Sequence, residues 1–227
     1  MLCPQGPPQG PQGPPGPQGP GGTAVAPSAP PAAYQGEFHL EIQGGPTLEL
    51  TSFAGCYDKI LGLEYEDCHF SVRELDRSVL QWLQETTNGP DAFRDLTVVQ
   101  VSQTLQILSR TDIGGAFLRE FRVSDFDGSD NTSGTLSFVA VPSSVRVTTS
   151  NPGGALNPST APTFRRSMFS LSVDGVGLLA GAAGIQGLRL SVDKILQPSQ
   201  GPGRRQFSPG TAFWDDVVIQ VGQHAAT

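Results

Sequence analysis

From Glu37 onward, apolar and polar side chains alternate. Phe38, Leu40 and Ile42 are separated by His39 and Glu41, the period of two that marks a strand with one buried face. Leu48 and Leu50 repeat the pattern, and Leu61, Leu63 and Tyr65 do so against Glu64 and Glu66. The period then lengthens. Between Ser71 and Asn88 the apolar residues are Leu75, Val79, Leu80, Trp82 and Leu83, one face of a helix of about four turns. Ser71 and Glu74 have capping-box spacing and Gly89-Pro90 supplies a stop, which predicts a helix over Ser71–Asn88. Leu75, Val79 and Leu83 are expected to face the sheet. β-Branched lettering returns at Leu96–Val101 and Phe117–Phe126, then at Leu136–Val141 and Ser144–Val147, with Pro142 marking a turn. Many short strands and one helix predict a mainly β fold, a barrel or sandwich with one flanking helix.

The lettering then divides the chain. Residues 37–148 hold the complete set of elements, and residues 149–165, rich in Pro, Gly, Ser and Thr, read as a linker. Beyond it the rhythm repeats. Met168–Gly175 matches Glu37–Gly44, Gly187–Val192 echoes Gly62–Asp67, and the pattern continues through Trp214–Val221 without a helix. Residues 166–227 therefore read as a partial second copy. Half a barrel leaves strand edges unpaired, so this segment is expected to pack on the first unit or to pair with another chain. Residues 1–36 differ again: they contain no charged residue and 11 of the 20 prolines. From Gly10 to Gly22 glycine recurs every third position, the lettering of collagen. A disordered, collagen-like Pro/Gly-rich tail is the compositional expectation, with a trimerising stalk as the alternative.

Charge narrows the function classes. With 21 acidic and 14 basic residues the chain has net charge −7 and a pI near 4.8, so it lacks the basic surface that neutralises phosphates. No apolar run approaches the roughly 20 residues that cross a bilayer as a helix. The N-terminus has neither a basic segment nor an apolar one of signal-peptide type, and three cysteines do not make a disulfide framework. A soluble cytosolic protein is expected.

Candidate chemistry is sparse. His39, His69 and His224 stand apart, outside any metal-binding frame. Cys56 and Cys68 read as buried thiols, since Cys packs as a small hydrophobe. Asp125–Asn131 could attract a cation through its carboxylates, but Asp, Gly, Ser and Asn are also hairpin residues, and a solvated turn is the expectation. Asn131-Thr132-Ser133 matches a glycosylation sequon. Gly175-Val176-Gly177 and the glycines from Gly181 to Gly187 lack both the Walker frame and the dinucleotide fingerprint. Trp82 belongs to the core face of the predicted helix. No catalytic, cofactor-binding or metal residue is assigned, no cofactor is expected, and an enzyme is not.

Several runs resemble a known family. "SVLQWLQETTNG", "RDLTVVQVS" and "FLREFRVSDFDGSDNTSGTLSFVAVPSSVRV" are similar to the latter half of contractile-tail tube proteins, the phage tail-tube and injection-system tubes. "GEFHLEIQG" resembles their opening strand, and "MFSLSVDGVGLL" to "FSPGTAFWDDVVIQVG" looks like the first half of such a domain again. The resemblance implies a tail-tube-like barrel or sandwich with one flanking helix, assembling into stacked rings without cofactor or catalytic residues. It implies partners of the same kind: itself or companion tube subunits in a ring-forming homo-oligomer, expected to be a hexamer, with sheath and baseplate proteins beyond. Assembly in the cytoplasm and residence in a virion or injection-system particle follow from it. A β-sandwich binding or fibre module on a collagen-like stalk remains the alternative.

Overall fold

The computed structural model describes residues 37–59, 63–89, 92–102, 104, 106–149, 156, 158–173, 177–178, 182–198 and 204–221. The Pro/Gly-rich tail, His224, Cys3, Gly175, Val176 and Gly181 lie outside these residues. In chain order the elements are β1 (Glu37–Ile42), β2 (Thr47–Ala54), β3 (Asp58–Lys59), β4 (Glu64–Tyr65), β5 (Cys68–Val72), α1 (Arg77–Asn88), β6 (Phe93–Val101) and β7 (Ile107–Val123). There follow β8 (Phe126–Asp127), β9 (Leu136–Val141), β10 (Ser144–Thr148), β11 (Ser172–Val173), β12 (Gly177–Leu178), β13 (Ala182–Gln186), β14 (Arg189–Leu196), β15 (Phe207–Trp214) and β16 (Val218–Val221).

Six of these strands close on themselves. β7, β6, β1, β2, β5 and β9 pair in that order, each antiparallel to the next, and β9 pairs back onto β7. Closure is made by the length of β7. Its first part pairs with β6 from Ile107 to Phe117, and its last part pairs with β9 from Phe117 to Val123. Within the first part, Gly114-Gly115 stand opposite Asp95 as a bulge in the pairing with β6. Gly115 has φ +55, and its N–H donates to Asp95 Oδ1 at 2.8 Å, where β6 slips register between Arg94 and Leu96. A Cβ on Gly114 would lie 2.5 Å from Ser144 Oγ on β10, so a larger residue there would require that hydroxyl to rotate away.

The alternation seen in the sequence fills the barrel. Leu40, Leu48, Phe70, Val72, Val98, Phe121, Leu136 and Phe138 all belong to one buried cluster. Phe53, Phe70 and Phe138 stack in succession, with ring centroids 5.5 and 5.1 Å apart, and Trp82 meets Phe138 edge-on at 6.2 Å. Such aromatic pairs add to the burial of their area.

The helix begins later than its capping-box spacing suggested. Ser71 and Val72 are the end of β5, because Cys68, Phe70 and Val72 face inward with period two while Ser71 faces out and bonds Ser137. α1 starts at Arg77, with Asp76 as its N-cap accepting from the Ser78 N–H at 2.7 Å, and ends where Gly89 N–H reaches Glu85 C=O. Its buried stripe is Val79, Trp82 and Thr86; Leu83 packs at the margin and Leu75 and Leu80 are exposed. Trp82 Nε1 donates to the Ala92 carbonyl at 2.8 Å, which satisfies the one polar atom of that side chain.

The strands after the linker join this architecture. β14 pairs with β7 through Arg189–Ser191 opposite Glu120–Arg122, and β15 pairs with β14. Leu190 enters the same buried cluster as the barrel residues, with Ala212 packed against it. β13 pairs with β8 and β16, forming a second, three-stranded sheet. Gly36–Thr227 is accordingly one compact unit. The described part of 149–165 is bonded to the barrel: Ser159 N–H reaches Thr47 C=O, Leu75 N–H reaches Pro162 C=O, and Gly134 N–H reaches Phe164 C=O.

Candidate functional site

The loop between β2 and β5 is where charged side chains of the two segments of the chain meet. Cys56 and Cys68, read from the sequence as separate buried thiols, form a disulfide with Cα atoms 4.7 Å apart. The turn that allows it is set by Gly55 at φ +83 and Cys56 at φ +60. At Gly55 a Cβ would fall 1.9 Å from the Asp67 carbonyl, so glycine is required for the return of the chain. The loop so closed carries Asp58, Glu64, Glu66 and Asp67.

Cations from the C-terminal segment converge on it. Lys194 Nζ lies 2.7 Å from Asp67 Oδ1, 3.7 Å from Glu64 Oε1 and 4.0 Å from the centroid of the Phe207 ring. A register shift in β14 between Val192 and Lys194 accompanies this aim, and bulges commonly redirect a side chain in this way. Arg119 also pairs with Asp67, Arg205 approaches Glu64 at 3.6 Å, and Arg204 pairs with Asp58 while lying over the Tyr65 ring. The Lys194, Asp67 and Glu64 side chains are only 15%, 8% and 13% exposed. Lys59, at the loop surface, is held above the ordinary lysine value by its bond to Glu66. The four acids and the basic residues Lys194, Arg204 and Arg205 were visible in the sequence; their pairing, across 127 positions for Lys194 and Asp67, was not.

The second feature is a set of open strand edges. Among the described residues β10 pairs only with β7, β15 only with β14, and β16 only with β13. Apolar side chains stand exposed on or beside these edges: Val147, Phe213 and Trp214, and Val218 and Val221. Pro209, which has no N–H to give, sits in β15, as expected of an edge strand.

The residues singled out for chemistry are scattered. His39 lies on β1 with Nε2 unbonded and Glu37 at 3.9 Å, and His69 is exposed on β5. Asp125–Asn131 is the short strand β8 and the turn that follows it, with the carboxylates of Asp127 and Asp130 engaged. Asp127 accepts from the Ser129 side chain and N–H and is held below the usual carboxylate range by them. Asp130 accepts from Thr132 N–H and pairs with Arg166, and Asn131 accepts from Arg165 and Ser167. No group of three or more potential metal ligands occurs among the described residues. The sequence showed Glu74 only as a capping-box partner. Glu74, bridged to Thr163, has an unbonded Oε2, and burial raises its carboxyl above the ordinary value, with the charges of Glu49 and Asp76 adding to the rise.

No protein-family model matches the sequence, and no curated protein is similar to it. Solved structures do show similarity. Hcp1 from Salmonella typhimurium is 12% identical with TM-score 0.37, over 49% of this chain and 85% of that one. The tube-terminating cap of the anti-feeding prophage is 13% identical with TM-score 0.40, over 56% and 98%. A sheath–tube complex of the PVC extracellular contractile injection system is 12% identical with TM-score 0.38, over 54% and 93%. No helix among the described residues is long and apolar enough to cross a membrane.

Proposed function

We propose that this chain is a structural subunit of a phage tail tube or a tail-derived contractile injection system, assembling with copies of itself or companion tube subunits into stacked rings. The observation that carries the reading is the closed barrel bordered by the open edges of β10, β15 and β16, each with exposed apolar side chains. Unpaired N–H and C=O rows are templates for another chain, and natural proteins rarely leave several of them bare. Head-to-tail contacts that close under rotation give rings, and rings with repeating faces stack. The tube-like runs from "SVLQWLQETTNG" to "PSSVRV" support the same assignment.

Six subunits per ring, and contacts with sheath and baseplate proteins, extend this reading. Assembly takes place in the cytoplasm, and the Cys56–Cys68 bond, which persists in oxidising surroundings, closes once the particle meets them. Each subunit contact should bury at least about 1,000 Å². Sedimentation velocity of the full chain over a micromolar range, alone and mixed with a companion tube subunit, tests the proposal. Discrete closed oligomers support it; monomer throughout refutes it. The glycine period from Gly10 to Gly22 favours a second reading, a binding or fibre module on a collagen-like stalk, and this one predicts trimers.

A further inference from the structure

We propose that the cleft at the Val123 end of β7 binds a small hydroxyl-rich oxyanion, the class that includes uronic acids and sugar phosphates. The cleft has a volume of about 440 Å³ and is lined by two arginines, one aspartate and five hydroxyl side chains. That volume is far above the ~30 Å³ share of one water, and within the range of small-molecule sites.

The two arginines are not equivalent. Arg166 is already engaged: its Nε donates to the Asp125 carbonyl at 2.6 Å and its Nη1 pairs with Asp130. Arg122 has no hydrogen-bond or ion-pair partner for its guanidinium among the described residues. Its cross-strand neighbours are Ser137 on β9 and Arg189 on β14. Arg189 is compensated in turn, by Glu120 at 3.0 Å and Asp215 at 3.7 Å, and Glu120 holds its pKa above the ordinary arginine value. Arg122 therefore presents an uncommitted planar fork to the cleft, the geometry that takes an oxyanion through two parallel bonds.

The rest of the lining selects for hydroxyls. Ser124 Oγ accepts from Thr135 N–H at 3.0 Å, which leaves its own proton to donate outward. Ser137 Oγ shares one bond with Ser71 Oγ and keeps further capacity. Asp125 contributes a carboxylate that also lacks a partner among the described residues. An anion seated against Asp125 would be repelled, whereas a sugar hydroxyl would donate to it. The oxyanion thus belongs at Arg122 and the hydroxyls at Asp125, an arrangement that a bare inorganic ion does not satisfy. This site lies outside the ring-forming role and does not depend on it.

Isothermal titration calorimetry of the full chain with glucuronate and glucose 6-phosphate, against glucose and inorganic phosphate, tests the assignment. At least one of the two acidic sugars should bind at millimolar concentration or better, about tenfold more tightly than glucose or phosphate. Binding of one and not the other identifies the oxyanion as carboxylate or phosphate. Arg122→Gln should lose at least about tenfold for that ligand with unchanged melting, since the side chain is exposed and unpaired. Asp125→Asn should weaken the acidic sugar while leaving phosphate no weaker. Absence of heat with both sugars, binding indifferent to Arg122→Gln, or phosphate binding as tightly as the sugars would each overturn the proposal.

Discussion

Replacing Lys194 with methionine should destabilise the fold by about 2–4 kcal/mol. Lys194 stands between Asp67 and Glu64 at 2.7 and 3.7 Å, in a cluster whose three side chains are each at least 85% buried. Methionine keeps most of the chain's volume, so the change is one of charge. Removing one member of a buried pair leaves the other uncompensated, at a typical cost of about 3–5 kcal/mol. Here Arg119 still pairs with Asp67 and Arg205 still approaches Glu64 at 3.6 Å, which lowers the figure. Loss of the cation over Phe207 restores up to about 1 kcal/mol to it. For a unit of this size the melting temperature should fall by about 5–15 °C. Urea unfolding monitored by circular dichroism measures the difference directly, with the slope m expected to stay constant. Adding Asp67→Asn should recover part of the loss, because the second substitution removes the stranded charge. A cost below about 0.5 kcal/mol for Lys194→Met, or a double variant at the plain sum of the singles, would refute the cluster as the fastening between barrel and C-terminal strands.

Three further outcomes are expected. Reduction of Cys56–Cys68, or Cys56→Ser with Cys68→Ser, should cost about 3 kcal/mol for a loop of this length, read as a lowered melting temperature; no change would contradict a stabilising crosslink. Glu74→Gln should stabilise the protein at neutral pH, because burial raises the Glu74 carboxyl and the folded state then binds its proton more tightly than the unfolded one. That advantage should shrink as pH falls towards the ordinary glutamate value of about 4.3, where the wild-type carboxyl is protonated; an advantage independent of pH would contradict the assignment. Val147→Lys places a charge on the open edge of β10 and should reduce self-association in sedimentation without altering the melting temperature.

Legibility in the sequence followed the reach of each interaction. Strands with one buried face and local alternation, such as β1 and β9, were readable to within a residue or two, as was the more exposed β10. β7 was only half visible. Phe117 onward reads as a strand, but Ile107–Ile113 alternates with Ser, Arg and Asp and ends in Gly114-Gly115, which resembles a turn. These glycines instead form a bulge inside one continuous strand, whose length lets it pair first with β6 and then with β9. The helix start was misplaced because Ser71 and Glu74 have the spacing of a capping box, while burial of Phe70 and Val72 on the β5 face outweighs it. β15 was hidden by Pro209-Gly210, which an edge strand tolerates and a central one does not. The disulfide and the Lys194 cluster depend on contacts between distant residues, and no local period reports them. The acids Asp58, Glu64, Glu66 and Asp67 and the bases Lys194, Arg204 and Arg205 were the available signal.

Negative-stain electron microscopy of the purified full chain, alone and co-expressed with a companion tube subunit, tests the assembly claim most directly. Ring-shaped particles with a central lumen are expected and, at higher concentration, short stacks of them. Fields containing only compact monomers in both preparations would contradict it.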